Sequence, residues 1–422
     1  MNWSAEMHKK ILNFWYPGSK RNNIFLLFFF KIFSFFYFFY FIFYRSNFFF
    51  KKKPDFDTTE SGPKNNIKNK KMITIVVGNL TVGGTGKTPM VIWLLNYLKE
   101  KKEKKEKKEK KEKSIDKNIE DKNISSMGVI SRGYGVCSKR GFYPKDLKLE
   151  FLKHKQLDPA HFGDEPCLIF NKTGVPVIID PKRVAARGYL LTEYPSIKYV
   201  ISDDGLTHVN LSRDLEIIMV DANRGFGNQN YLPAGPLRAP LNRLSQANLI
   251  VLTGESSAER LLEIKNIIHA HAPNVPIGRQ ILKPLGLIPL NQYADFLALK
   301  DFNKNNFLDW QGKSVYLLSA LGNPDRFERD IKQQGLEIRG HLVFPDHYLF
   351  SERQISQWVV NREFKKIDTA LPMIVTEKEA VKLSHIDKIK CLDTLGLNIW
   401  VCCVESEMSQ EVKEFVDNYL EK

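Results

Sequence analysis

Short apolar runs recur along the chain from residue 73 onward, and each ends in a loop that contains Gly, Asp or Ser. Several of them alternate with helical patterns, which lie at 89–99, 259–272, 326–334 and 410–420. Nearly continuous apolar strands that alternate with helices are typical of a parallel α/β sheet. Strands are therefore predicted at 73–77, 128–131, 175–179, 199–202, 217–220, 249–252, 315–319, 373–376 and 399–404. Such sheets bind ligands beyond the carboxyl ends of their strands.

Residues 24–43 are apolar almost throughout, interrupted only by Lys31 and Ser34. Twenty helical residues extend about 30 Å, which matches the hydrocarbon core of a bilayer. The stretch is predicted to be a membrane helix that either spans the bilayer or lies in its interface, since Lys31 can extend toward the headgroups. More positive charge follows the stretch than precedes it, at Arg45 and residues 51–53, which favours a cytoplasmic position for the rest of the chain.

Two polar stretches interrupt the apolar pattern. Residues 54–71 are rich in Pro, Asn and Lys, and residues 99–123 form a low-complexity Lys/Glu insertion that either extends the preceding helix or stays disordered. The predicted organisation is an N-terminal membrane anchor at 1–53, a linker at 54–71, a core domain at 72–272, an inter-domain linker at 273–313 and a smaller C-terminal α/β domain at 314–422.

The length of 422 residues leaves room for about two domains, and 43% hydrophobic residues are enough to build their cores. The net charge is +15, of which residues 1–50, 51–71 and 99–113 carry +5, +4 and +5, so the remainder is nearly neutral. Basic segments beside an apolar stretch favour anionic lipid, and no nucleic-acid-recognition motif accompanies them, so no nucleic-acid partner is predicted. Five cysteines without metal-ligand spacing suit a reducing cytosol.

A glycine-rich turn stands between the first predicted strand and the first predicted helix. Its glycines let backbone N–H groups approach phosphate oxygens, and the following helix points its positive dipole end at them. The turn is therefore predicted to hold the phosphates of a nucleotide. The predicted phosphate loop consists of Val82, Gly83, Gly84, Thr85, Gly86, Lys87, Thr88 and Pro89.

Two side chains of this loop have specific predicted tasks. Lys87 can reach the terminal phosphates, and the Thr88 hydroxyl can bind Mg²⁺. The strict GxxxxGK[ST] pattern is incomplete, because Thr81 stands where the first glycine belongs. Phosphate binding leaves the reaction open, since GTPases, ATPases and small-molecule kinases share such loops.

Two apolar runs end in acids that suit Mg²⁺. Asp203 and Asp204 follow the run at 199–202, and Asp221 follows the run at 217–220. The adjacent pair is the better candidate, because two neighbouring anions are unfavourable without a cation between them. Asp221 is equally well explained as a cap at the end of its strand.

Other polar positions have a functional and an ordinary interpretation. Asp164 precedes a helical run, where it is either a helix cap or a base that takes a proton from an acceptor hydroxyl. His347, in the sequence Pro-Asp-His-Tyr, is either structural or catalytic. Arg183 and Arg238 are candidate anion clamps, with surface ion pairs as the alternative.

Eight short motifs in a fixed order carry a resemblance to one family. They are GNLTVGGTGKTP (78–89), SRGYG (131–135), GDEP (163–166), DDGLTH (203–208), GN followed by LPAGPLR (227–238), ALGNPDRF (320–327), FPDHY (344–348) and VTEKEAVKL (375–383). Together they resemble the tetraacyldisaccharide 4′-kinases, the lipid A 4′-kinases of Gram-negative bacteria. The resemblance extends from about residue 15 to the C-terminus and omits the linker and the Lys/Glu insertion.

The resemblance implies a P-loop NTPase-like parallel sheet core, a smaller C-terminal α/β domain and an N-terminal apolar membrane helix. It implies transfer of the γ-phosphate of ATP to the 4′-hydroxyl of a tetraacyl glucosamine disaccharide 1-phosphate. It also implies that Asp164 is the catalytic base assisted by His347, and that Arg183 and Arg238 contact substrate or the transferred phosphate. The implied ligands of Mg²⁺ are Thr88, Asp204, and Asp203 or Glu165.

Two departures from the family pattern concern the acids. The usual DDGFQH is DDGLTH at 203–208, which changes the packing but keeps both acids and His208. The glutamate that usually follows the arginine of LPAGPLR is replaced by Ala239, so any role of that carboxylate is lost or taken by another acid.

The partners implied by the resemblance are the acylated disaccharide phosphate and a membrane, with no obligate protein partner. The implied location is the cytoplasmic face of the inner membrane. A regulatory ATPase or GTPase that acts on a protein would share the phosphate loop, the acids and the anchor. It would give no reason for GDEP, PDHY and LPAGPLR to occur together.

Overall fold

A computed structural model describes most of the chain outside its N-terminal region. The described residues are 15–16, 72–112, 126–133, 144–293, 297, 306–351, 353, 355, 367–384 and 386–420. The predicted membrane helix at 24–43 and the linker at 54–71 lie outside them, so both stay predictions. Among the described residues, no helix has the length and apolar character needed to cross a membrane.

The described residues form a sheet of twelve strands in the order β10-β9-β11-β12-β8-β7-β6-β1-β5-β2-β4-β3. The strands are β1 (Ile73–Gly78), β2 (Met127–Ser131), β3 (Lys145–Asp146), β4 (Val177–Ile179), β5 (Tyr199–Asp203), β6 (Leu215–Asp221), β7 (Leu249–Thr253), β8 (Ile277–Pro289), β9 (Ser314–Ser319), β10 (Glu337–Val343), β11 (Met373–Thr376) and β12 (Ile399–Met408). Neighbouring strands are parallel except in the pairs β3–β4 and β8–β12. The predicted α/β class with a mainly parallel sheet is confirmed.

Most of the strands that were predicted are buried on both faces. In β1, Ile75, Val76 and Val77 are fully buried, as expected for a strand covered by helices on both sides. The strands β3 and β10 were missed because they form the two edges of the sheet. An edge strand is half-exposed, and β10 accordingly mixes charged and apolar residues.

The strand β8 is the third missed strand, and it lies within the inter-domain linker predicted at 273–313. The prolines of this segment suggested a loop, yet Pro284 lies beside a register irregularity of the β8–β12 pair, where a proline is tolerated. The first residues of β8 pair with β7, and the rest pair with β12. The segment therefore joins the two halves of one sheet. The predicted division into two domains stays a prediction.

The long strand β8 also makes the two halves of the sheet face each other. The strand β7 ends at Thr253, which pairs with Gln280 of β8. The strand β11 ends at Thr376, which pairs with Cys402 of β12, and Cys402 in turn pairs with Leu287 of β8. The strands of the two halves run in opposite directions, so their carboxyl ends point at each other across residues 281–286. Six strand residues span roughly 20 Å. A cleft at the carboxyl ends of both halves is the consequence.

Helices cover both faces of the sheet. They are α1 (Lys87–Glu112), α2 (Leu147–His154), α3 (Pro159–Phe162), α4 (Asp164–Thr173), α5 (Arg183–Glu193), α6 (Ala258–His271), α7 (Pro324–Gln333), α8 (Glu377–Leu383), α9 (Ile386–Thr394) and α10 (Gln410–Leu420). The helix α1 continues to Glu112, so the first part of the Lys/Glu insertion extends the helix, which was one of the two alternatives.

Candidate active site

The predicted phosphate loop lies where β1 ends and α1 begins. Gly83 and Gly86 have φ angles of 109° and 80°, which L side chains rarely adopt. A Cβ atom on Gly86 would also lie 2.5 Å from the Cγ2 atom of Thr253 at the end of β7. Thr81, which replaces the usual glycine, forms an isolated bridge with Leu237 in extended backbone. The loop thus tolerates threonine there, while its shape depends on the two glycines.

A cavity of about 980 Å³ opens beside the loop, between the facing ends of the two halves. All eight residues of the predicted phosphate loop line it. The opposite wall comes from the C-terminal half and includes Asp346, His347 and Lys378. Trp93 and Leu285 contribute apolar surface. The cavity is therefore wide enough for a ligand with both charged and apolar parts.

Asp204 connects the phosphate loop to Arg238. The guanidinium of Arg238 donates from Nη1 to Oδ2 at 3.1 Å and from Nη2 to Oδ1 at 3.0 Å, and Lys87 Nζ lies 3.8 Å from Oδ1. Lys87 also donates to Asn79 Oδ1 at 3.1 Å. Burial disfavours the ionised form of Asp204, but Lys87 and Arg238 hold its pKa below the usual range. Three predicted site residues are thus brought together.

Asp203 lies beneath this group and is 2% exposed. Its Oδ1 atom has no hydrogen-bond partner among the described residues. Burial, together with the nearby Glu165 and Asp204, raises the pKa of Asp203 to about 7. A buried carboxylate oxygen that accepts no hydrogen bond is unfavourable in the anion, so this oxygen is suited to a cation.

Arg183 is not placed at the cavity wall. It is 2% exposed, and it donates from Nη1 to the carbonyl of Asp180 at 3.0 Å and from Nη2 to the carbonyl of Asp203 at 3.1 Å. Burial lowers its pKa to about 10. In this geometry Arg183 holds the chain after β4 against the end of β5. Its predicted contact with substrate stays a prediction.

Asp164 is the first residue of α4 and is 3% exposed. His347 Nδ1 lies 3.0 Å from its Oδ1 and 3.2 Å from its Oδ2, although 183 residues separate the two in the chain. Burial opposes ionisation of Asp164, but Lys378, His347 and Lys382 hold its pKa below the usual range. Burial also disfavours a charged His347, but its hydrogen bond to Asp164 raises the pKa above the ordinary value. The two predicted catalytic residues are thus adjacent, with His347 at the cavity wall.

Lys378 is a central residue of this region that had no predicted role. Its Nζ atom lies 3.3 Å from Glu165 Oε1, 3.1 Å from Asp346 Oδ1 and 3.6 Å from Asp164 Oδ2. Burial disfavours its charge, but these three acids raise its pKa above the usual value. Lys382, one helical turn later, lies 3.7 Å from Asp164 Oδ2. The available signal was the spacing of four in VTEKEAVKL, which places both lysines on one face of a helix.

The alternative interpretation of Asp221, a cap at its strand end, fits the structure. Its Oδ1 atom accepts hydrogen bonds from the backbone N–H groups of Asn223 at 2.9 Å and Arg224 at 2.8 Å. Its Oδ2 atom accepts from Asn323 Nδ2 at 3.2 Å. Asp221 therefore ties the loop after β6 to the loop after β9.

The residues predicted to bind Mg²⁺ fit a partial site. In the described part of the chain, no group of three or more His, Cys, Asp or Glu side chains is arranged to hold a metal. Protein sites for Mg²⁺ commonly supply one or two carboxylates, and substrate phosphates supply further oxygens. Thr88 and Asp204 line the cavity, and Asp203 offers its free oxygen. Glu165 is already paired with Lys378, so it is less suited.

The sequence matches a known protein family over most of its length. The profile of the Tetraacyldisaccharide-1-P 4′-kinase family, LpxK, covers residues 60–106 and 116–421. The chain belongs to this family. The tetraacyldisaccharide 4′-kinase of Pasteurella multocida is 35% identical over 346 residues, which cover 82% of this chain and 84% of the relative. That of Hahella chejuensis is 34% identical over 343 residues, which cover 81% and 80%.

A solved structure has the same fold as this member of the LpxK family. It is LpxK from Aquifex aeolicus, described as an "apo" form in complex with ATP, and it aligns with a TM-score of 0.53 and 21% identity. The alignment covers 82% of this chain and 88% of that one. The family profile leaves residues 107–115 unmatched, and these lie within the Lys/Glu insertion at the end of α1.

Proposed function

We propose that the chain transfers the γ-phosphate of ATP to the 4′-hydroxyl of a tetraacyl glucosamine disaccharide 1-phosphate, which yields a lipid A precursor. The observation that carries the proposal is the placement of His347, held by Asp164, in the same cavity as the phosphate loop. A nucleotide on the loop and an acceptor hydroxyl at His347 would share one cavity. Family membership supports the choice of donor and acceptor.

The phosphate side of the cavity supplies positive charge. Phosphoryl transfer depends on positioning and charge stabilisation more than on covalent chemistry. Lys87 and the backbone N–H groups of the loop would neutralise the phosphate oxygens. Lys87 is already oriented by Asn79, so little rearrangement is needed when a nucleotide binds.

The other side supplies a proton acceptor. Asp164 is ionised at neutral pH because its pKa is low, and it orients the imidazole of His347. The 4′-hydroxyl would give its proton to this pair, with Asp164 as the base and His347 as the group that assists it. The transition state of phosphoryl transfer is loose, so a base of modest strength is sufficient.

Thr88, Asp204 and Asp203 would hold Mg²⁺. When bound, the ion neutralises charge on the phosphate oxygens. A cation would also contact the Oδ1 atom of Asp203, which has no hydrogen-bond partner among the described residues.

The proposal includes a location at the cytoplasmic face of the inner membrane. The support comes from the sequence, in the apolar stretch at 24–43 and the basic residues that follow it. The acyl chains of the acceptor lie in a bilayer, so an enzyme at the same surface searches in two dimensions. Vesicle flotation of the full chain, compared with a variant in which serines replace several Phe residues of 24–43, tests the location.

The activity is tested by incubating the purified full chain with γ-labelled ATP, Mg²⁺ and the disaccharide lipid. The expected result is label in the lipid, and none in a matched acceptor whose 4′-hydroxyl is replaced by hydrogen. Label that appears only as free phosphate, at the same rate with and without lipid, would contradict the proposal and favour a regulatory ATPase.

A further inference from the structure

Three separate segments meet on the outer side of the phosphate loop: residues 15–16, the loop after β6 and the loop after β9. Arg224, from the loop after β6, donates from Nη1 to the carbonyl oxygen of Gly322 at 2.6 Å. The guanidinium carbon of Arg224 also lies 5.2 Å from the centre of the Tyr16 ring. Tyr16 donates from its hydroxyl to the carbonyl oxygen of Val82, in the phosphate loop, at 3.4 Å. One arginine thus contacts both of the other segments.

Gly322 lies directly against the phosphate loop. A Cβ atom at position 322 would lie 2.7 Å from the backbone nitrogen of Gly84 and 3.1 Å from the Cα atom of Gly83. Only glycine permits this approach, so the loop after β9 forms part of the wall that surrounds bound phosphates. The C-terminal half therefore contacts the nucleotide site through backbone.

The short distance between the two loops places the Gly322 carbonyl oxygen near the phosphate site, where Arg224 compensates its negative charge. The position that a Cβ atom on Gly83 would take lies 3.7 Å from Arg224 Nη1 and 3.9 Å from the Gly322 carbonyl oxygen. A carbonyl oxygen this close to phosphates would repel them, because both carry negative charge. The guanidinium neutralises that oxygen and adds positive charge beside the loop.

Tyr16 supports the guanidinium from below. Its ring offers a cation–π contact, and burial raises its pKa to about 12, so the phenol keeps its proton and stays a donor to Val82. The preceding residue is held as well, since Trp15 Nε1 donates to the Pro233 carbonyl at 3.0 Å and the Trp15 carbonyl accepts from Asn228 at 2.8 Å. Residues 15–16 are thus fixed to the body of the protein.

We propose that Arg224 positions the nucleotide indirectly, because it holds the loop after β9 against the phosphate loop, and that Tyr16 acts through Arg224. The proposal rests on the proposed function only in that a nucleotide binds at the phosphate loop. It makes residues 15–16, which precede the predicted membrane helix, a structural part of the nucleotide site.

The chain offers a matched control in Arg260. This arginine also supports the loop after β6, because it donates to the carbonyls of Asn223 and Arg224, each at 2.8 Å. Within the part of the chain that the structure describes, its guanidinium donates to these two carbonyls and to Glu263, and not to Gly322. Arg260→Gln therefore weakens the same loop without removing the contact to Gly322.

The test measures the Kd of a fluorescent ATP analogue with Mg²⁺, the KM for ATP and the melting temperature, all on the full chain. We expect Arg224→Gln to raise the Kd and KM about tenfold, as for loss of a charged hydrogen bond, with kcat changed much less. Arg224→Lys keeps the charge but loses the planar group, and it should give an intermediate value. Tyr16→Ala should weaken binding about threefold, and Tyr16→Phe hardly at all.

The double variant Tyr16→Ala/Arg224→Gln should bind no more weakly than Arg224→Gln alone, because both changes remove one joint contact. Arg260→Gln should lower the melting temperature and leave the Kd within about twofold. A folded Arg224→Gln variant with unchanged Kd would overturn the proposal, and so would an Arg260→Gln variant that weakens binding equally. Fully additive effects in the double variant would remove Tyr16 from it. Since the Kd needs no lipid, the result stands apart from the test of lipid phosphorylation.

Discussion

The two sides of the cavity are both built from buried charges, but they differ in how completely those charges are paired. On the acid–base side, Asp164, Glu165 and Asp346 surround Lys378, and His347 and Lys382 complete the group. The pKa values of Asp164 and Asp346 are lowered despite burial, mainly through Lys378. The charged side chains of this side are therefore paired with one another before any ligand binds.

The phosphate side is incomplete by the same measure. Lys87 and Arg238 stabilise Asp204, but one oxygen of the adjacent Asp203 accepts no hydrogen bond from the described residues, and the pKa of Asp203 rises to about 7. The comparison suggests that the acid–base side is preorganised, whereas the phosphate side gains its missing charge from what binds there. Substitutions on the two sides should therefore differ in sign as well as in size.

The largest expected effect belongs to Asp164→Asn. The amide cannot accept the proton and cannot orient His347 as an ion pair, so kcat should fall by about a thousandfold while ATP affinity changes less than about twofold. The matched control is Asp158→Asn, which alters another Asp–His pair, with His161 Nδ1 at 2.7 Å from Asp158 on the surface. Steady-state kinetics and nucleotide binding check both variants. A kcat within tenfold of the wild-type value would remove Asp164 from the role of base.

A smaller effect should appear in the pH dependence of kcat. The pKa of His347 is raised above its ordinary value by Asp164, so the folded protein holds this proton more tightly than the unfolded chain does. The resulting stability is present below the ordinary pKa and is lost as the pH rises through the raised one. Over the same range His347 loses the proton that it shares with Asp164, so Asp164 becomes available as the base and kcat should increase with a midpoint above about 6.5.

Replacement of His347 should remove this increase of kcat with pH. In His347→Gln, kcat should be about 10- to 100-fold lower and nearly independent of pH over the same range. A pH–rate profile of both proteins at saturating ATP is the measurement. If kcat of the variant still increased with pH in the same way, the increase would belong to the titration of another group, and the view of a preorganised acid–base side would be weakened.

The same contrast explains what the sequence could predict. The phosphate loop is contiguous, and Asp203 and Asp204 end an apolar strand beside it, so local pattern was enough to find them. Most of the nine predicted strands are buried on both faces, while the prolines of β8 suggested a loop. A regular apolar pattern is a local property of the sequence, and it was enough to predict these strands.

The acid–base side was less accessible because distant segments form it. Asp164 and His347 are 183 residues apart, and only the family resemblance paired them. Lys378 lies 213 residues from its partner Glu165, and its spacing of four from Lys382 indicates a shared helix face but not the acids that the face contacts. Arg183 was predicted to be an anion clamp, which stays a prediction, and its hydrogen bonds to two backbone carbonyls could not be read from the sequence. The spacing of charged residues along the sequence does not show which of them pair in the folded protein.

The smallest expected effect is also the one that separates the two sides by sign. The folded pKa of Asp203 lies above its ordinary value of 3.8, so folding is favoured below that value, and this stability is lost as the pH rises through about 7. Asp203→Asn cannot ionise, so without nucleotide its melting temperature at pH 8 should exceed that of the wild type by a few degrees, with a smaller difference at pH 5. Mg²⁺ with ATP should stabilise the variant less than the wild type.

Asp164→Asn should instead lower the melting temperature at pH 8, because it leaves Lys378 and Lys382 without their shared carboxylate. Thermal unfolding of the two variants measures this directly, and equal shifts of the same sign would show that both sides are paired to the same degree.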